Sequence, residues 1–154
     1  MPANVFERLH TWLEENGVPH TVLRHEPVFT SEQAAAVRGT ALASGAKALL
    51  VKAGERFALL VLPADRKLDS RKAREALNVK SLRFATREEV EQRTGLQPGS
   101  IPPFGSLFGL PTWCDPALGD SASINFNAGD HAISVQMAYA DYLSLEKPAP
   151  AALT

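Results

Sequence analysis

Two apolar runs, 46–52 (AKALLVK) and 56–62 (RFALLVL), are separated only by Ala53-Gly54-Glu55. Each is short for a helix and apolar throughout rather than alternating. That pattern suits a strand covered on both faces, and the intervening glycine suits a tight turn. The pair therefore predicts a β-hairpin that needs a layer of structure on each side. Pro63 closes its second strand, because proline cannot continue the ladder. The 154 residues are enough for one domain that supplies those layers.

The remaining elements follow from caps and periodicity. Asn4-Val5-Phe6-Glu7 opens a helix carrying Phe6, Leu9, Trp12 and Leu13 at helical spacing, with Gly17 as its stop. Thr30-Ser31-Glu32-Gln33 opens an Ala-rich helix through Val37, and Asp69 begins another through Leu77. Thr86-Arg87-Glu88-Glu89 is a capping box whose helix ends at Gly95. His20–Leu23 and Leu82–Phe84 read as short strands. Ser123–Asn127 and Ala132–Met137 alternate apolar and polar residues around Ala128-Gly129-Asp130-His131, a second hairpin. Ala138–Leu145 reads as a final helix. Strand pairs interrupted by helices predict an α/β fold of the mixed α+β kind. Residues 1–147 form the single domain, and 148–154, rich in Pro and Ala, a flexible tail.

Composition excludes several classes. The net charge of −1 argues against a broad, sequence-blind nucleic-acid binder. Cys114 is the sole cysteine, so no internal disulfide framework exists, which suits a reducing cytoplasm. The stretch from Met1 to His10 lacks the charge and apolar pattern of a secretory signal, and no run approaches a membrane span. His10, His20, His25 and His131 are scattered, with no metal-ligand spacing.

Gly99-Ser100-Ile101-Pro102-Pro103-Phe104-Gly105 is neither helix nor central strand, since each proline lacks an N–H and restricts the residue before it. Its prolines fix a shape, and its glycines allow close backbone approach or positive φ. Such a loop is either a tight structural corner or one wall of a ligand pocket.

Read in order with Gly45-Ala46-Lys47-Ala48-Leu49-Leu50-Val51 and Phe126-Asn127-Ala128-Gly129-Asp130-His131, that loop resembles the YbaK-type, prolyl-tRNA-synthetase-associated editing domains. The likeness covers about residues 18 to 146 and includes Thr30-Ser31-Glu32-Gln33, Pro63-Ala64-Asp65 and Thr86-Arg87-Glu88-Glu89. It implies a mixed, barrel-like sheet flanked by helices. It also implies hydrolysis of the ester joining a wrong, small amino acid to the 3′ end of tRNA, in trans, without metal or cofactor. The implied partners are the acceptor end of an aminoacylated tRNA, of the tRNA-Pro type, and prolyl-tRNA synthetase. Under this resemblance Lys47 and the loop Gly99, Ser100, Ile101, Pro102, Pro103, Phe104 and Gly105 line the site. His131 occupies the place of a histidine that some relatives use and others lack.

The residues have their own physical readings. Lys47, on an apolar strand, either holds an ammonium at the ester to stabilise charge developing on its carbonyl, or snorkels to water. His131 either orients water or ribose, or is an exposed turn residue. Asn127 and Gly129 contact substrate or serve the turn. Thr30 and Ser31 line the pocket at a helix N-terminus or merely cap it. The segment 66–87 holds eight basic residues against two acidic ones. Within it Arg66, Lys67, Arg71, Lys72 and Arg74 are candidates for the tRNA backbone, or a solvated helix face. Two other functions compete with deacylation. One is a non-catalytic tRNA- or synthetase-binding module on the same fold. The other is a hydrolase using Cys114 or a serine, although no catalytic cysteine signature surrounds Cys114.

Overall fold

A computed structural model describes residues 4–154. The expectation for the first three residues of the N-terminal stretch lies outside them. In chain order the elements are α1 (Val5–Glu15), β1 (His20–Arg24), α2 (Ser31–Arg38), β2 (Ala46–Ala53), β3 (Arg56–Pro63), α3 (Ser70–Leu77) and β4 (Leu82–Phe84). They continue with α4 (Arg87–Thr94), β5 (Thr112–Cys114), β6 (Ser123–Asn127), β7 (Ile133–Ala138), α5 (Tyr139–Glu146) and β8 (Ala149–Pro150).

The hairpin of β2 and β3 forms as expected, antiparallel from Ala46 opposite Pro63 to Ala53 opposite Arg56. It is covered on both faces. Ala46, Ala48, Leu50, Leu59 and Val61 join a large core with Ile124, Phe126, Val135, Phe104 and Tyr142. Val51, Ala58 and Leu60 join a second core with Ala73, Ala151 and Leu153. The helix caps also form where the sequence places them. Asn4, Thr30, Asp69 and Thr86 each accept a backbone N–H three residues on, and Thr86 with Glu89 completes a reciprocal capping box.

The mixed α/β fold holds, and its strands are divided between two sheets. One is ordered β1-β7-β6 and the other β4-β2-β3-β5-β8. Among the described residues a single parallel bridge, Gly45 to Asn125, links them. That bridge lies where the cavity described below opens.

The segment 148–154 is not a free tail. Ala149 and Pro150 add a parallel strand to β5. Leu153 is fully buried. Its N–H donates to Asp115 Oδ2 at 3.0 Å, and its carbonyl accepts from the Asp69 N–H at 2.7 Å. The Pro/Ala composition hid this because two apolar side chains and a few backbone bonds, rather than a periodic pattern, dock the segment.

Candidate active site

The helix α2, the start of β2, the end of β6 and the Gly99 loop enclose a cavity of about 220 Å³. Its lining includes Thr30, Ser31, Lys47, Gly99, Ile101 and Asn127 from the sequence reading. The lysine strand and the start of the glycine–proline loop thus meet on one hollow.

The loop divides at Ile101. Gly99 sits at φ +89°, a conformation that favours glycine. Its carbonyl accepts from Asn127 Nδ2 at 2.8 Å, which ties the loop to the second hairpin. Ser100 is buried, and its hydroxyl donates to the Gln97 carbonyl at 2.8 Å, while its carbonyl accepts from the Gly129 N–H at 2.8 Å. Ser100 therefore braces the loop rather than lining the cavity, whereas Gly99 does both. Pro102, Pro103, Phe104 and Gly105 then turn into the core. Phe104 is fully buried, with ring centroids 5.7 Å from Trp12, 5.7 Å from Phe126 and 5.1 Å from Tyr142. Burying such a ring stabilises the fold by about 1.5–3 kcal/mol. The expected Pro/Phe wall of the pocket is therefore a corner of the core, since Phe104 gains more from three aromatic partners than from a half-wet cleft. Both readings of the loop hold, each for one half of it.

Lys47 is half-buried on β2, and its Nζ donates to the Arg66 carbonyl at 2.7 Å. Burial lowers its pKa from the ordinary lysine value, against the opposing influence of Glu32 and Asp65. His131 stands at the rim rather than in the lining. A proton on its Nε2 donates to the Pro98 carbonyl at 3.3 Å, and its ring lies 4.9 Å from that of Phe29. It thereby packs against the residue before Thr30 and braces the loop just before Gly99.

Arg38, which the sequence reading passed over, lines the cavity. Its Nε donates to Ser134 Oγ at 2.8 Å and its Nη2 to Asn127 Oδ1 at 2.9 Å. Ser134 in turn lies 2.7 Å from His25 Nε2, whose other ring nitrogen donates to the Glu26 carbonyl at 2.7 Å. The signal was present in the spacing of α2. Ser31, Ala34, Ala35 and Arg38 fall at i, i+3, i+4 and i+7, one helical face, and all four line the cavity.

The basic candidates spread over a wider surface. Arg66 and Lys67 sit in the turn after β3, close to Lys47. Lys72 donates to the Thr154 carbonyl at 2.8 Å, Arg71 pairs with Glu75, and Arg71 and Arg74 border a shallow depression with Lys80. Cys114 is buried, and burial pushes its thiol up to about 12, so it is not a thiolate near neutral pH. Two histidines that are far from periodic in the sequence meet away from the cavity. His10 Nδ1 is 2.9 Å from His20 Nε2, with Glu14 3.6 Å from the latter. Among the described residues no helix is long and apolar enough to cross a membrane.

Comparison with known proteins matches residues 25–145 to the model of the aminoacyl-tRNA editing domain. The chain belongs to that family. The chain is 35% identical over 147 residues to the multifunctional Ser/Thr-tRNA deacylase ProXp-y of Escherichia coli, covering 92% of this chain and 88% of that protein. A proline–tRNA ligase of Bacillus subtilis is 30% identical over 131 residues, covering 81% of this chain but 23% of the ligase. A crystal structure described as a candidate trans-editing enzyme for prolyl tRNA synthetase superposes with a TM-score of 0.87 at 24% identity, covering 100% of this chain and 99% of that one. This last likeness bears on the fold alone. Membership of the editing family agrees with the resemblance read from the sequence.

Proposed function

We propose that this editing domain is a trans-acting aminoacyl-tRNA deacylase that removes a small polar amino acid, serine or threonine, from mischarged tRNA, with tRNA-Pro as the leading acceptor. The observation that carries the reading is the placement of Lys47, Gly99, Ser31 and Asn127 around one small cavity in a chain of the editing family. The Escherichia coli relative named as a Ser/Thr-tRNA deacylase supports the choice of amino acid. So do the polar groups of Thr30, Ser31, Asn125 and Asn127 on the cavity wall, which offer partners for a substrate hydroxyl.

The chemistry is attack of water on the ester carbonyl. A C–O bond forms as the carbonyl oxygen takes up negative charge, and the ribose oxygen then leaves with a proton. Lys47 donates to the carbonyl oxygen as that charge grows. Thr30 and Ser31, at the N-terminus of α2, line the cavity, so the positive end of that helix adds to the same stabilisation. Gly99, held by Asn127 in a conformation that favours glycine, presents its backbone to the reacting ester and fixes its approach. His131 holds the loop from its outer side. Arg66, Lys67, Arg71, Lys72 and Arg74 contact acceptor-stem phosphates, which position the tRNA without reading its sequence. Prolyl-tRNA synthetase is the proposed partner that supplies the mischarged tRNA.

A panel of tRNA-Pro charged with Ala, Cys, Ser or Thr tests this. Ser- and Thr-tRNA should lose their amino acid at least about fivefold faster than the others, because a buried polar group left unpaired by a substrate lacking the hydroxyl costs at least about 1 kcal/mol. Binding of every member with hydrolysis of none would favour the non-catalytic tRNA-binding module instead.

A further inference from the structure

Among the described residues two cations, Arg38 and Lys47, line the cavity, and no carboxylate does. The two are compensated differently. Lys47 has the Arg66 carbonyl at 2.7 Å and the nearby charges of Glu32 and Asp65. Arg38 donates only to neutral oxygens, those of Ser134 and Asn127, and among the described residues no ion pair includes it. Burial alone acts on it, drawing its guanidinium down to about 10.

A half-buried cation without a counter-charge is costly, and a chain keeps one where a ligand completes it. The two bonds fix the plane of the guanidinium. Among the described residues they leave Nη1 and its two N–H groups without a partner, on the side facing Gly45 at the cavity wall. A planar fork fixed in this way is suited to an oxygen anion. The aminoacyl group itself brings no negative charge, since its ester is neutral and its α-amine is basic. The anion beside it is the phosphodiester of the terminal nucleotide.

We propose that Arg38 is an anion-binding residue of the cavity and takes a phosphate oxygen of the tRNA's terminal nucleotide. This assignment rests on the deacylase reading for the identity of the ligand, while the arginine site itself can be tested without any hydrolysis. Arg38 binds the phosphate and Lys47 faces the ester, so one side chain sets affinity and the other rate.

The test is a titration of wild-type protein, Arg38→Gln and Arg38→Lys with adenosine 5′-monophosphate and with adenosine, followed by NMR. Wild type should bind the monophosphate about tenfold more tightly than the nucleoside. Arg38→Gln should bring the two within about threefold, and Arg38→Lys, which keeps the charge but loses the fork, should retain part of the preference. Equal binding by wild type overturns the proposal, as does a preference that survives in Arg38→Gln. If Arg38→Lys loses as much as Arg38→Gln, the bonds to Asn127 and Ser134 were all that mattered and the proposal also falls. In deacylation, Arg38→Gln should raise KM about tenfold with kcat within about threefold. A fall in kcat at constant KM would put Arg38 at the reacting carbonyl and contradict the phosphate assignment. Should wild type hydrolyse no mischarged tRNA, the deacylase reading fails while the nucleotide titration still decides the role of Arg38.

Discussion

Lys47→Ala is expected to lower the single-turnover rate of Ser-tRNA deacylation by about 10²–10³, with the fold intact. The size follows from what the ammonium does. A donor aimed at developing negative charge in a partly dry cavity is worth about 2.7–4 kcal/mol of barrier. Stability should change little by comparison. The side chain is half-buried, its hydrogen bond is to one carbonyl on the turn at Arg66, and the strand around it is held by Ala46, Ala48 and Leu50. Truncation there removes no core contact of consequence, so thermal unfolding should move by no more than a few degrees. A variant that deacylates at the wild-type rate would remove Lys47 from the chemistry. A variant that unfolds would make it a structural lysine instead.

Gly105→Ala should do the opposite, and lose stability without a direct effect on the site. A Cβ at Gly105 would lie 2.6 Å from the Leu110 carbonyl oxygen and clash with Thr112 Oγ1. Neither neighbour is free to yield. The Leu110 carbonyl belongs to the backbone leading into β5, and Thr112 Oγ1 accepts from the Gly105 N–H at 2.9 Å while donating to the buried Glu146 carboxylate at 2.6 Å. Overpacking at such a point costs about 3 kcal/mol, equivalent to a fall of roughly 6–12 °C in Tm for a domain of this size. Thermal unfolding followed by circular dichroism measures it. At a temperature where the variant remains folded, deacylation should stay within about threefold of wild type, because Gly105 does not line the cavity. A wild-type Tm together with lost activity would return Gly105 to the substrate pocket and undo the division of the loop at Ile101.

The contrast between these two residues also marks how far the sequence could be read. Lys47 was legible as a candidate only through the resemblance, which reads its strand in order with the Gly99 loop and the Asn127 hairpin; a lysine in an apolar strand by itself also reads as a side chain reaching water. The hairpin around it was legible locally, through Gly54 and the two runs beside it. Helix starts at Thr30, Asp69 and Thr86 were legible because a cap is a contact between residues three apart. The fate of Phe104 was not, since its partners Trp12, Phe126 and Tyr142 come from three distant segments. The same holds for β5 and β8. Their parallel pairing joins residues that no turn connects, and three residues or fewer carry no period. Arg38 lay between these cases. Its helical face with Ser31, Ala34 and Ala35 was visible, but an arginine in a last helical turn reads first as a complement to the helix dipole. Only the hairpin of β6 and β7, brought across by the fold, gives it Asn127 and Ser134 as partners.

The account depends on the cavity between α2, β2 and the Gly99 loop being where the aminoacyl end of tRNA reacts. The most direct measurement is NMR mapping of a seryl-adenosine analogue whose ester is replaced by an unreactive amide. The account predicts that the largest backbone amide shifts fall on Ser31, Lys47, Gly99 and Asn127. Shifts gathered instead at the groove formed by Phe6, His10 and Arg24, with those four amides unmoved, would contradict it.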